Sequence, residues 1–179
     1  MKVRDLYAMI CVIFATNFKG VISEDNFKKM APKWILQNET VSNKTAHEIW
    51  QKALKEDYSE ICKDYENLKK FFKMDYYCLI SKTDMSLFFE KVRYQKPFKK
   101  LDESHAANML AFLAAILKSD DGEKTHNFLG LYLTKYFMES FRALSEILKT
   151  KSKSDYYKAL GWFLEDYLNM LKTTLGLKI

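Results

Sequence analysis

Glycine and proline are scarce in this chain, five and two in 179 residues. A β-sandwich or barrel reverses direction every ten residues or so and draws on those residue types at its turns. With so few of them the chain has to run in long elements, and its apolar residues recur at helical spacing. Val3, Leu6, Ile10, Ile13 and Phe14 share one face, as do Ile49, Trp50, Ala53 and Leu54. The fold expected is all-α, a single globular helical bundle. Apolar residues make up 48% of the chain and aromatic ones 15%, enough for a ring-rich core. A chain of this length buries roughly 70% of its unfolded surface.

Caps place the helices. Ser23, with Glu24 and Asp25 in the first turn, opens a helix carrying Phe27, Met30 and Trp34 until Pro32 bends or ends it. Thr45 and Glu48 form a capping box ahead of Trp50. Tyr58, Ile61, Cys62, Tyr65, Leu68 and Phe72 extend the pattern, which is lost over 73–85, and Thr83 or Asp84 caps a short helix reading MSLFFEKV. Residues 93–103 are charged and contain Pro97. They are the expected hinge, within one domain, between an N-terminal helical portion (1–92) and a C-terminal one (104–179). In the helix over 104–118 Asn108 is the only polar interruption before Lys118, and such all-round apolar character marks it as central. A helix over 125–149 follows, then a last one capped by Ser154 and running through Leu171.

The net charge of +6 permits contact with phosphate or acidic lipid without requiring it. Acids alternate with the lysines almost everywhere, as on a solvated helix face. The exception is RYQKPFKK, where Arg93, Lys96, Lys99 and Lys100 have no acid among them. Cys11, Cys62 and Cys78 are odd in number and form no C-x-x-C, which points to reduced, buried thiols in a cytoplasm. The first residues imitate a secretory leader. Asp5 interrupts their basic part, however, and no small-x-small cleavage site follows, so a first core helix is expected. No stretch approaches the ~18 apolar residues of a membrane span, and no stable membrane insertion is expected.

Equipment for catalysis is thin. No glycine-rich phosphate loop and no nucleophile elbow occur, and the glycines stand alone. Asp102-x-x-His105 and Glu123-x-x-His126 imitate the carboxylate–histidine pairs of helical di-iron proteins. Such a site also needs a carboxylate from each of two further helices, and the available donors, Glu48 and Glu66, look surface-directed. Helix-start capping explains both pairs more simply, so no metal, cofactor or catalytic residue is expected. Tyrosine and phenylalanine pairs (Tyr76–Tyr77, Phe88–Phe89, Tyr156–Tyr157) point to different helix faces, so half of each pair can be exposed as an interaction surface.

Three segments, LDESHAANMLAFLAAIL, THNFLGLYLTKYFMESFRALSEIL and SDYYKALGWFLEDYLNML, together resemble the TorD/DmsD/NarJ family of redox-enzyme maturation chaperones. His105 matches the histidine of that family's E-P-x-D-H hinge motif. Leu101, Asp102 and Ser104 replace its Glu, Pro and Asp, and acid is displaced to Asp102 and Glu103. Tyr132 stands for the family's second histidine, and Tyr136 or Phe137 for its tryptophan. DYENLKKFF is similar to the segment before the hinge, so the likeness covers about residues 60 to 175.

The resemblance implies an all-helical cytoplasmic chaperone. It would bind the twin-arginine signal peptide, or the apo-subunit, of a molybdenum-containing oxidoreductase such as formate dehydrogenase, as a monomer or a hinge-swapped homodimer. Two guanidinium groups followed by an apolar segment call for carboxylates beside an apolar groove. The expected peptide-binding residues are His105, Asp102, Glu103, Tyr132 and Tyr136, with a second acidic patch at Asp120, Asp121 and Glu123. The alternatives are a basic helical nucleic-acid-binding protein using Lys96, Lys99 and Lys100, and a helical di-iron protein. No nucleic acid is expected as a partner.

Overall fold

A computed structural model describes residues 3–119 and 122–174, and the protein is all-helical. The helices are α1 (Val3–Phe18), α2 (Glu24–Lys28), α3 (Val41–Ala53), α4 (Tyr58–Leu68), α5 (Lys82–Lys91), α6 (Ala106–Lys118), α7 (Glu123–Tyr132), α8 (Met138–Lys151) and α9 (Asp155–Thr174). Short 3-10 turns occupy Lys69–Phe72 and Met74–Tyr77, and a π-helical turn, Leu133–Phe137, joins α7 to α8. No strand occurs among the described residues beyond an isolated bridge between Lys73 and His105. None of the helices described is long and apolar enough to cross a membrane.

The chain divides into two interleaved compact units: Met1–Lys19 with Phe72–Ser140, and Gly20–Phe71 with Phe141–Lys178. Residues 93–103 lie inside the first unit, and the unit boundaries fall at 19/20, 71/72 and 140/141.

In the first unit α1 packs along α6, each burying its apolar face. The Arg4 guanidinium donates to the Ile116 carbonyl near the end of α6 at 3.2 Å. Phe18 stacks on Phe14 and on Phe72, with ring centroids 5.7 and 4.8 Å apart. Asn108, the one polar side chain of α6 before Lys118, is fully buried and is used up by residues 93–103: its Nδ2 donates to the carbonyls of Phe98, Leu101 and Asp102. Four such stitches, counting the one from the Phe98 amide to Oδ1, hold a loop that has little helical propensity of its own.

The second unit is built on α3 against α9. Trp34 stacks on Phe163 at 4.4 Å, and Trp50 on Tyr156 at 5.7 Å. Asp166 of α9 is buried and accepts hydrogen bonds from Asn38, Thr40 and Asn43. The free amides that open α9 are met by two carboxylates. Asp64 accepts from the Ser154 amide at 2.8 Å, and Glu56 from those of Asp155 and Tyr156 at 2.9 and 3.1 Å.

Several local expectations need correction. The helix opened by Ser23 ends at Lys28, so Trp34 reaches the core from irregular chain. Thr40, not Thr45, caps α3, because its hydroxyl also donates to Asp166 at 2.6 Å and is thereby held in place. Ser81, one turn before Asp84, caps α5 by accepting from the Asp84 amide. The expected 125–149 helix is α7 and α8 joined through the π turn. Burial holds for Cys11, whereas Cys62 is half-buried and Cys78 exposed. Tyr156 and Tyr157 are both buried, so that pair presents no exposed half.

Candidate functional site

The junction ahead of α6 is held by contacts within the first unit. His105 is the N-cap of α6: its Nδ1 accepts from the Ala107 amide at 3.2 Å, and the ring is 5% exposed. Burial drives its pKa down to about 4, a change that the neighbouring Asp102 carboxylate opposes, so the ring is neutral at physiological pH. Asp102 pairs with Lys82 at 2.6 Å, and Glu103 with Lys96 at 2.9 Å. The hydrogen bonds from those lysines hold both carboxyls below their usual range. Ser104 donates to Asp75 at 2.9 Å, and its carbonyl accepts from the Met74 amide at 2.9 Å. The structure thus brings Asp102, Glu103 and His105 together, with both acids matched by lysines of the same unit.

The other expected residues lie elsewhere. Tyr132 is fully buried and donates to the Met109 carbonyl at 2.9 Å, which fixes α7 on α6. Glu123 is exposed in the first turn of α7. Asp120 and Asp121 lie outside the described residues. Of the four basic residues in RYQKPFKK, Lys96 is the partner of Glu103, while Arg93, Lys99 and Lys100 are exposed. Among the described residues no group of three or more His, Cys, Asp or Glu could hold a metal ion.

Tyr136 belongs to a different feature, an open cleft of about 610 Å³ in the first unit. One wall is α5, which presents Asp84, Leu87, Phe88 and Lys91, spaced i, i+3, i+4 and i+7 and therefore on one face. The opposite wall is Phe128 and Leu131 of α7, continued by Lys135 and Tyr136 of the π turn. Leu79 and Ile80 line it as well. Phe88 forms the aromatic floor, with ring centroids 4.7 Å from Tyr136 and 6.0 Å from Phe128.

Three leucines on these walls remain open to solvent: Leu79 at 47%, Leu87 at 58% and Leu131 at 54%. A second shallow depression lined by Asp75, Cys78, Ser81 and Lys82 shares Leu79, Ile80 and Asp84 with the first. The volume falls within the range of ligand sites, roughly 300–1,000 Å³. The lining offers apolar surface bordered by charge, which suits binding. α5 is apolar on two faces, since Met85 and Phe89 are buried on the side away from the cleft. The doubled phenylalanine in MSLFFEKV is the sequence signal for this arrangement.

No family model, curated protein or solved structure matches the chain.

Proposed function

We propose that the chain is a cytoplasmic chaperone that holds the leader peptide, or the leader-bearing apo-subunit, of a molybdenum-containing oxidoreductase, with the leader's apolar run in the cleft between α5 and α7. The observation that carries this reading is the row of exposed leucines, Leu79, Leu87 and Leu131, over the Phe88 floor. Contiguous apolar surface left open beside a well-filled core is characteristic of an interaction site. Grooves walled by helices receive an apolar stretch of a partner polypeptide side chain by side chain. Asp84, and Asp75 in the adjoining depression, offer carboxylates to the leader's guanidinium groups. The resemblance over residues 60 to 175 supplies the class of client. The protein acts stoichiometrically and carries out no chemistry of its own.

The test is a fluorescence-anisotropy titration with a labelled peptide of two consecutive arginines and an apolar run of about ten residues. Binding in the micromolar range or tighter is expected, with at least a tenfold loss in Leu87→Asp and Leu131→Asp. Both positions are solvent-exposed, so unchanged circular dichroism in these variants keeps the comparison clean. Absence of binding, or binding that ignores both substitutions, overturns the reading. The paired variant Asp102→Asn with Glu103→Gln separates cleft from junction: weakening there alone moves the peptide to the start of α6.

A further inference from the structure

We infer that the cleft reads charge at both ends of its guest, taking a basic group over Asp84 and an acidic group at Lys91, with the apolar run between them. The inference rests on the cleft being the peptide site. Asp84 and Lys91 lie on one face of α5, seven residues and about 10 Å apart along the helix axis. Lys135 comes from the opposite wall, its ammonium 5.0 Å over the Tyr136 ring.

Charges around the cleft fall into two groups. Lys82 is matched by Asp102, and Lys96 by Glu103. Asp84, Lys91 and Lys135 have no ion-pair partner among the described residues, and these three line the cleft. An ion beside an apolar wall is more weakly hydrated than one in open solvent, so a guest that covers the leucines also raises the worth of meeting these charges. A guest with no acid leaves the Lys91 ammonium uncompensated beside freshly covered apolar surface. A guest entering backwards sets like charges against each other at both ends. Direction and register are therefore selected by repulsion as well as attraction. The preferred guests are segments that run base, apolar stretch, then Asp or Glu, and a leader with an uncharged end binds more weakly.

The test uses four peptides sharing one apolar core of about seven residues: Arg before and Glu after, Arg before and Gln after, Glu before and Arg after, and Arg at both ends. The full chain is titrated with each, in wild type and in Lys91→Glu. In wild type the Arg–Glu peptide binds best, Gln weakens it by about fivefold, and the reversed and doubly basic peptides by more. The Lys91→Glu variant inverts the preference, favouring Arg at both ends. Equal binding of all four by a wild type that still loses affinity on Leu131→Asp overturns this inference and leaves the cleft as the peptide site. Indifference to Leu131→Asp removes the cleft reading, and the inference with it.

Discussion

Asn108 holds Phe98 by both of its backbone groups: the Phe98 amide donates to Oδ1 at 3.2 Å, and Nδ2 donates to the Phe98 carbonyl at 3.2 Å. The same Nδ2 reaches the Leu101 and Asp102 carbonyls. One side chain of α6 thus fixes the course of the loop preceding it. Asn108→Ala strips partners from all four groups and is expected to lower unfolding stability by about 2–4 kcal/mol. Urea denaturation measures the loss, and hydrogen exchange at Phe98 should quicken.

Two glycines separate helix propensity from packing. A Cβ on Gly161 would lie 2.8 Å from Leu148 Cβ and 2.9 Å from the Lys149 amide nitrogen, so α9 and α8 approach as closely as they do only because that atom is missing. The close approach lets Ser145 donate to the Gly161 carbonyl at 2.9 Å. Gly161→Ala should destabilise by about 1–3 kcal/mol despite alanine's better propensity. Gly130 in α7 meets nothing within 4 Å. Gly130→Ala should therefore stabilise by about 0.5–1 kcal/mol. Thermal or chemical melts of the two variants should move in opposite directions.

His105 makes stability depend on pH. Its folded pKa is depressed from 6.5 to about 4, chiefly by burial, so the unfolded chain binds the proton more tightly. The contribution is complete above about 6.5 and is lost as pH falls toward 4, on the order of 3 kcal/mol across that window. Asp102 and Asp75 favour the protonated ring, while Lys73 opposes it. His105→Asn retains a capping oxygen and should flatten the stability profile between pH 4 and 6.5, read by urea midpoints at several pH values.

Asp166 anchors the chain entering α3. It accepts from Asn38 at 2.9 Å, Thr40 at 2.6 Å and Asn43 at 2.8 Å while 1% exposed. Asp166→Ala removes the charged acceptor shared by three donors and is expected to cost about 3–5 kcal/mol. Because Thr40 loses its anchor, residues 36–43 should exchange amide protons faster than the rest of the second unit.

Helical content was legible because periodicity and turn chemistry are local properties of the chain. Ser23 and Ser154 cap the helices they precede, and each accepts from an amide three residues on. Thr40 was not legible as a cap: its selection over Thr45 depends on Asp166, 126 positions away. The junction of Asp102, Glu103 and His105 was recognisable as a polar cluster, but its lysine partners, Lys82 and Lys96, follow no sequence spacing that marks them. The cleft was hidden for a related reason. Leu87 and Leu131 look like any core leucine in a hydrophobic pattern, and only the packing leaves them outside. Phe88 beside Phe89 gave the one hint, since neighbours on a helix cannot both face the same way.

The interleaving of the two units sets an order on synthesis. Everything that the first unit needs among the described residues has been translated once Ser140 is added, before the helix that completes the second unit is made. The second unit has to wait. Its opening stretch, with Trp34 and Trp50, is made early, yet the helix bearing Phe163 and Asp166 comes last. Until that helix is made, the tryptophans wait without the ring they will pack against, an apolar surface bared for as long as translation takes to travel from one half of the unit to the other.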